Sequence, residues 1–211
     1  MLFVILDILL KYFNNLSEEQ IHQFSQLRDL YNFWNKKINV ISRKDIGNLY
    51  EHHVLHSLSV AKIFTFKKNT LIADVGTGGG FPGIPLAIYF PDTRFIMIES
   101  KGKKAGVAAS VAFEIGLDNF DVVLTRIEDY HEKYDFVLGR AVTSFCKFAG
   151  MTEKNIHDNS GKKAERGIIY LKGADCAEEK KMYKEKVIIY NIKDFFEENY
   201  FETKKIVYLK L

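Results

Sequence analysis

Ala73-Asp74-Val75-Gly76-Thr77-Gly78-Gly79-Gly80-Phe81-Pro82-Gly83 decides the fold. The run Leu71–Val75 reads as a buried strand, and the acid Asp74 lies on it. Five glycines then fall within residues 76–83. Such a stretch lets the backbone turn sharply and lets a ligand approach main-chain N–H groups without Cβ clashes. A helix follows, reaching Tyr89, and its N-terminus offers unpaired donors. All three prolines, Pro82, Pro85 and Pro91, cluster here. Pro82 and Pro85 stiffen the loop and suit a helix start.

Downstream, short β-branched runs alternate with helical stretches. Arg94–Glu99 predicts a second strand and Lys103–Ile115 a second helix, closed by Gly116 as a C′ residue. Asp121–Leu124, Asp135–Leu138, Gly167–Leu171, Val187–Ile192 and Ile206–Leu211 predict five more strands. Alternation of this kind implies βαβ units and a mostly parallel sheet, here of seven strands, although the last two need not be parallel. Residues 151–166 are polar, with Asn159-Ser160-Gly161 as a turn signal.

Upstream, the chain reads as helical. Ser17-Glu18-Glu19-Gln20 is a capping box, followed by Ile21, Phe24, Leu27, Leu30, Tyr31 and Trp34 at helical spacing. A basic connection runs from Asn35 to Lys44, and a third helix is expected from Asp45 to about Phe64. The division predicted is a helical extension over 1–66 and an α/β unit over 67–211.

The 211 residues are 47% hydrophobic and 14% aromatic, which excludes a disordered chain. Thirty Lys and Arg oppose 27 Asp and Glu, a mild net charge of +3. Cys146 and Cys176 cannot form a disulfide framework or a four-Cys zinc site. Met1–Leu10 is about half the length of a membrane span, contains Asp7, and lacks the features of a signal peptide. A cytoplasmic protein is therefore expected. His52 and His56 lie four apart, but a metalloprotease helix needs Glu at position 53, where His stands, so no metal is expected.

The glycine loop admits two registers. Gly78, Gly80 and Gly83 match the dinucleotide fingerprint, starting late after the strand. Asp74, Gly76, Gly78 and Gly80 match acid-x-Gly-x-Gly-x-Gly, which resembles the motif of Rossmann-like methyltransferases that bind S-adenosylmethionine. The acid suits a cofactor with an amino group and a sulfonium cation. Glu99, ending the second strand, is placed for ribose hydroxyls. After the third strand, Ile127 is placed to pack on an adenine ring and Glu128 to reach its edge, or to serve as a helix N-terminal acid.

The longer string D-V-G-T-G-G-G-F-P-G-I-P over Asp74–Pro85 is similar to that of the glucose-inhibited division protein B family, bacterial 16S ribosomal RNA guanine-N7 methyltransferases. Tyr31-Asn32 through Val40, Glu99-Ser100 with Lys103-Lys104, Arg126-Ile127-Glu128-Asp129, Gly139-Arg140-Ala141 and Leu171-Lys172-Gly173 match in order. The resemblance implies cofactor contacts at Asp74, Gly76, Gly78, Phe81, Glu99, Ile127, Glu128 and Arg140. Substrate contacts are expected at Arg43, His53, Lys103 and Lys104. The chain departs from the family at His52, where Arg is usual, at His56, where Asp is usual, and at Gly139, where Ser is usual.

Guanine N7 carries a free lone pair, so direct transfer by positioning is expected, with no catalytic base. The sequence after the fourth strand has no N-P-P-Y-type tetrad, and Cys146 lacks the setting of a cytosine-C5 nucleophile. Residues 31–70 hold seven Lys and Arg against two acids, a local +5 suited to RNA phosphate. The expected partner is 16S ribosomal RNA or the small subunit, and the expected state a monomer. The alternatives are methylation of another RNA, protein or small molecule, and a non-catalytic RNA-binding or assembly protein on the same fold.

Overall fold

The structure, a computed structural model, describes residues 2–158, 165–173 and 175–211. The expected turn at residues 159–161 lies outside them. Two helices come first, α1 (Leu2–Tyr12) and α2 (Glu18–Asn35). The capping box is formed as read: Ser17 Oγ accepts from Gln20 N, and Gln20 Oε1 accepts from Ser17 N. The helix predicted over 45–64 forms instead as a composite. A 3₁₀ turn (Ile46–Asn48) leads into a π-helical segment (Leu49–Leu55), one α turn α3 (His56–Leu58) and a second 3₁₀ turn (Ser59–Lys62). Within this π segment the consecutive His52 and His53 both reach Asp45.

Seven strands follow: β1 (Leu71–Val75), β2 (Arg94–Glu99), β3 (Phe120–Leu124), β4 (Phe136–Arg140), β5 (Gly167–Gly173), β6 (Val187–Asn191) and β7 (Lys204–Lys210). The helices among them are α4 (Gly83–Tyr89), α5 (Gly102–Glu114), α6 (Phe145–Thr152) and α7 (Ala177–Tyr183). One sheet holds all seven strands in the order β3-β2-β1-β4-β5-β7-β6. Pairing is parallel except at β7, which runs antiparallel to both β5 and β6. Strand order reverses between β1 and β4, so the crevice for a ligand opens at their carboxyl ends.

The period of two along each strand sorts the core into two layers. Ile72, Phe95, Met97, Phe136 and Leu138 face the N-terminal helices, α4 and α5. Ala73, Val75, Ile96, Ile98 and Val137 face α6 and the 3₁₀ turn Ile127–Asp129. By the same alternation Asp74, Glu99 and Arg140 turn toward the N-terminal layer. Gly139 turns the other way, onto Phe148 of α6. A Cβ at Gly139 would overlap the Phe148 ring. This accounts for the departure from the family's Ser, because the large ring occupies the space.

Gly139→Ser is expected to lower stability by about 1–3 kcal/mol through overpacking. Phe148→Leu in the same chain is expected to recover part of it. Thermal melts of the two single variants and the double check this, and additive losses would contradict it.

Candidate functional site

The loop after β1 is tied by one carboxylate. Asp74 is fully buried. Its Oδ2 accepts from Thr77 Oγ1 at 2.6 Å and from Gly83 N at 2.8 Å, so both ends of the loop hang on one atom. Its Oδ1 is buried with no partner. Burial pushes the Asp74 carboxyl up to about 6, against the bonds from Thr77 and Gly83. Gly76 at φ 71° and Gly80 at φ 102° take a left-handed backbone that costs glycine little. From the N-terminal layer, Tyr31 Oη donates to Gly79 O at 2.7 Å, and the Tyr31 ring packs on Phe81 at 4.8 Å. Glu99 Oε2 accepts from Gly78 N at 3.0 Å, and its Oε1 from Lys101 N at 2.9 Å.

Two clefts meet at Gly76. The larger, of 490 Å³, is lined by Gly76–Gly79, Phe81, His53, Lys104 and Arg140, with Thr143, Tyr170 and Lys172 across from them. The smaller, of 190 Å³, is lined by Ile98, Ser100, Thr125, Ile127, Glu128, Val142 and Met151. Ile127 is buried and Glu128 exposed. Val142 lies over Gly76, where a Cβ would meet its methyl at 2.8 Å. Tyr170 Oη pins the neighbouring loop by accepting from Val142 N and Thr143 N and donating to Thr143 O.

Arg140 stands half-buried in the larger cleft with its guanidinium 5.2 Å above the Phe81 ring. Nη1 donates to His52 O at 3.3 Å and Nη2 to His53 Nδ1 at 3.1 Å. The other nitrogen of His53, Nε2, lies 2.7 Å from Asp45 Oδ2. Burial, then the charge of Arg140, pushes the His53 imidazole down to about 4. Of this Asp–His pair His53 lines the cleft, but its basic nitrogen is engaged by a cation. His52 stacks on Tyr200 at 3.7 Å, and Tyr200 Oη lies 3.4 Å from His56 Nδ1. His56 is buried, and burial holds its imidazole well below the usual range.

Of the expected residues, Gly76, Gly78, Phe81, His53, Lys104 and Arg140 share the larger cleft, and Ile127 and Glu128 the smaller. Asp74 and Glu99 line neither and act on the loop from behind. Arg43 sits apart, with Lys36 and Asn32, in a 420 Å³ cleft of the N-terminal layer. Lys103 is exposed on α5. Asp45, Tyr200 and Lys204 were not singled out in the sequence. Tyr200 and Lys204 come from the far end of the chain, and Asp45 carried no motif.

The two clefts fit S-adenosylmethionine by their chemistry. Ile98, Ile127, Val142 and Met151 offer apolar faces to a purine ring. Arg140 offers a cation to a carboxylate, and Asp74 and Glu99 bias the loop toward positive groups. Sheet order, glycine loop and paired clefts define a Rossmann-like S-adenosylmethionine-dependent methyltransferase. Solved structures share the fold. A SAM-dependent methyltransferase from Aquifex aeolicus has a TM-score of 0.56 at 14% identity, covering 81% of this chain and 98% of that one. TYW2 of M. jannaschii in complex with AdoMet has a TM-score of 0.56 at 18% identity, covering 83% and 78%. The family profile "rRNA small subunit methyltransferase G" matches residues 20–206. Ribosomal RNA small subunit methyltransferase G of Bacteroides thetaiotaomicron is 50% identical over 206 residues, covering 98% of this chain and 100% of that protein. The chain belongs to the rRNA small subunit methyltransferase G family.

The histidines give a pH dependence with a definite sign. A free imidazole titrates near 6.5, while folded His53 stays neutral to about 4 and burial holds His56 well below the free value. Their contribution to stability is full above pH 6.5 and is lost as the pH falls through about 4. Asp74, raised from 3.8 to about 6, runs the other way, its contribution disappearing as the pH rises through 6. His56→Gln is expected to make the melting midpoint fall less steeply between pH 7 and 4.5 than in the wild type. Equal slopes would contradict this.

Proposed function

We propose that the chain methylates N7 of a guanine presented by a loop of 16S ribosomal RNA, acting as a monomer in the cytoplasm. The observation that carries this reading is the loop tied by Asp74, with an apolar cleft on one side of Gly76 and a cationic one on the other. S-adenosylmethionine bound there supplies a methyl group on a sulfonium, which passes to a nucleophile as the carbon–sulfur bond breaks. Ile127 would pack on the adenine, Arg140 would meet an anionic group, and Glu99 would hold the loop in shape from behind through Gly78 N. Phe81, clamped between Tyr31 and Arg140, keeps the floor of the cleft rigid.

Among the described residues of the larger cleft, His53 has its basic nitrogen engaged by Arg140, which supports N7 as the acceptor atom. An exocyclic amine or a ribose hydroxyl must lose a proton. N7 has none to lose, so positioning suffices. His53 is kept neutral with its bare nitrogen against Arg140, and accepts no proton near neutral pH.

The helical extension over 1–66 supplies the RNA-facing surface. Lys36 and Arg43 are exposed around one cleft, and Lys37 lies 3.8 Å over the exposed ring of Phe33. Positive charge beside an open aromatic ring suits unpaired nucleotides, whose phosphates and bases it engages together. Asn35 links this surface to the catalytic cleft. Its side chain binds Val40 N, Ile41 N and Ile41 O, and Val40 packs on Gly79.

Incubation with labelled cofactor and unmodified 16S RNA, followed by nucleoside mass analysis, is expected to yield 7-methylguanosine. Recovery of 6-methyladenosine or 5-methylcytidine alone would refute the assignment. Lys36→Glu with Arg43→Glu is expected to raise the KM for RNA about tenfold at low salt and to shrink the salt slope by about two. An unchanged slope would move the RNA elsewhere.

A further inference from the structure

We propose that Asp45 is a positioning residue which, through His53, aims the Arg140 guanidinium at an anionic oxygen group in the larger cleft. The inference rests on the methyltransferase reading and adds a residue to its site. Asp45 is no part of the glycine loop and lies 95 positions before Arg140 in the chain. Nonetheless the contacts run in one line from Asp45 Oδ2 to His53 Nε2, and from His53 Nδ1 to Arg140 Nη2.

The proton on His53 is fixed by elimination. A guanidinium only donates, so Nδ1 must be bare, and the ring proton sits on Nε2. That proton points at Asp45 Oδ2, which lies 2.7 Å from Nε2. Asp45 Oδ2 is then an acceptor, and with Oδ1 facing His52 Nδ1 both oxygens are engaged by imidazoles, as an ionised carboxylate requires. Burial works against its charge, but the bonds from His52 and His53 prevail and hold its pKa below the ordinary value. His52 Nδ1 donates to the second oxygen, Oδ1, at 2.5 Å, so the carboxylate cannot rotate away. Both histidines lie on the π-helical segment Leu49–Leu55.

The arrangement orients Arg140 without neutralising it. Among the described residues no carboxylate lies within 4.0 Å of its guanidinium. Its two hydrogen bonds go to neutral acceptors, His52 O and His53 Nδ1. A carboxylate bonded directly would hold the side chain equally well, but would cancel the charge a ligand needs. One imidazole placed between acid and base keeps the geometry and leaves the cation for an incoming anion. That anion is the cofactor's carboxylate or an RNA phosphate, both of which fit a planar fork of donors.

The test uses the intact protein with Asp45→Ala, His53→Ala and His53→Asn, the last keeping an acceptor where Nδ1 lies. Long-range nitrogen NMR of the wild type is expected to show His53 protonated on Nε2 at pH 7.5. Calorimetry with S-adenosylhomocysteine and its decarboxylated analogue, and the KM for RNA, separate the two anions. If the carboxylate is held, Asp45→Ala and His53→Ala bind S-adenosylhomocysteine about tenfold more weakly, and the analogue binds the wild type and both variants alike. If a phosphate is held, the KM for RNA rises by a similar factor and cofactor affinity stays. In either case the loss falls on KM or Kd rather than on kcat, and His53→Asn recovers most of it. A proton on Nδ1, unchanged Kd and KM in folded Asp45→Ala, or equal damage in His53→Asn and His53→Ala would overturn the proposal. A wild type that binds no S-adenosylhomocysteine would count against the function itself, while the His53 tautomer would still decide this inference.

Discussion

A single buried oxygen, Asp74 Oδ2, holds the architecture of the site together. It accepts from Thr77 at the start of the loop and from Gly83 at the first residue of α4, nine positions after Asp74 itself. Burying a carboxylate is costly unless it is hydrogen-bonded, and here the groups that bond Oδ2 belong to the loop, while Oδ1 stays without a partner. The cost thereby becomes a constraint: the loop either takes this path or leaves both oxygens of a buried carboxylate without partners. The strand's alternation explains why the acid is buried at all, because Asp74 shares a face with Ile72 and turns into the N-terminal layer.

The same layer does a second task. Its helices cover one face of the sheet with apolar side chains, and their polar groups reach the ligand edge. Tyr31 reaches Gly79, Val40 packs on Gly79, and His52 and His53 reach Arg140. The cofactor loop and the proposed RNA surface are therefore two sides of one packed unit. Rearrangement of the segment 36–45 would be felt at the glycines, and the reverse.

The sheet was legible in the sequence because its strands read as short β-branched and apolar runs, the buried parallel ones most clearly, and all seven fall where those runs fall. The loop was legible because only glycine tolerates the backbone at residues 76 and 80. The Ser17 cap was legible because its chemistry is local. The π segment was not, since apolar spacing carries a period of 3.6 and conceals a local widening. Tyr200 was not, because its 148-residue reach to His52 depends on β7 running back beside β5. The basic residues were legible as a class but not by place. Lys104 enters the cleft, whereas Lys103 next to it stays in solvent and Arg43 lines another surface.

The central claim is that a loop knotted by Asp74 forms the cradle for the adenosyl cofactor. Titration calorimetry with S-adenosylhomocysteine at pH 8, on the wild type and on Asp74→Ala, tests it most directly. The account predicts one site per chain in the wild type. In a variant that still shows the wild-type far-ultraviolet spectrum, it predicts affinity lowered at least tenfold. No binding heat in the wild type, or equal affinity in the two proteins, would contradict it.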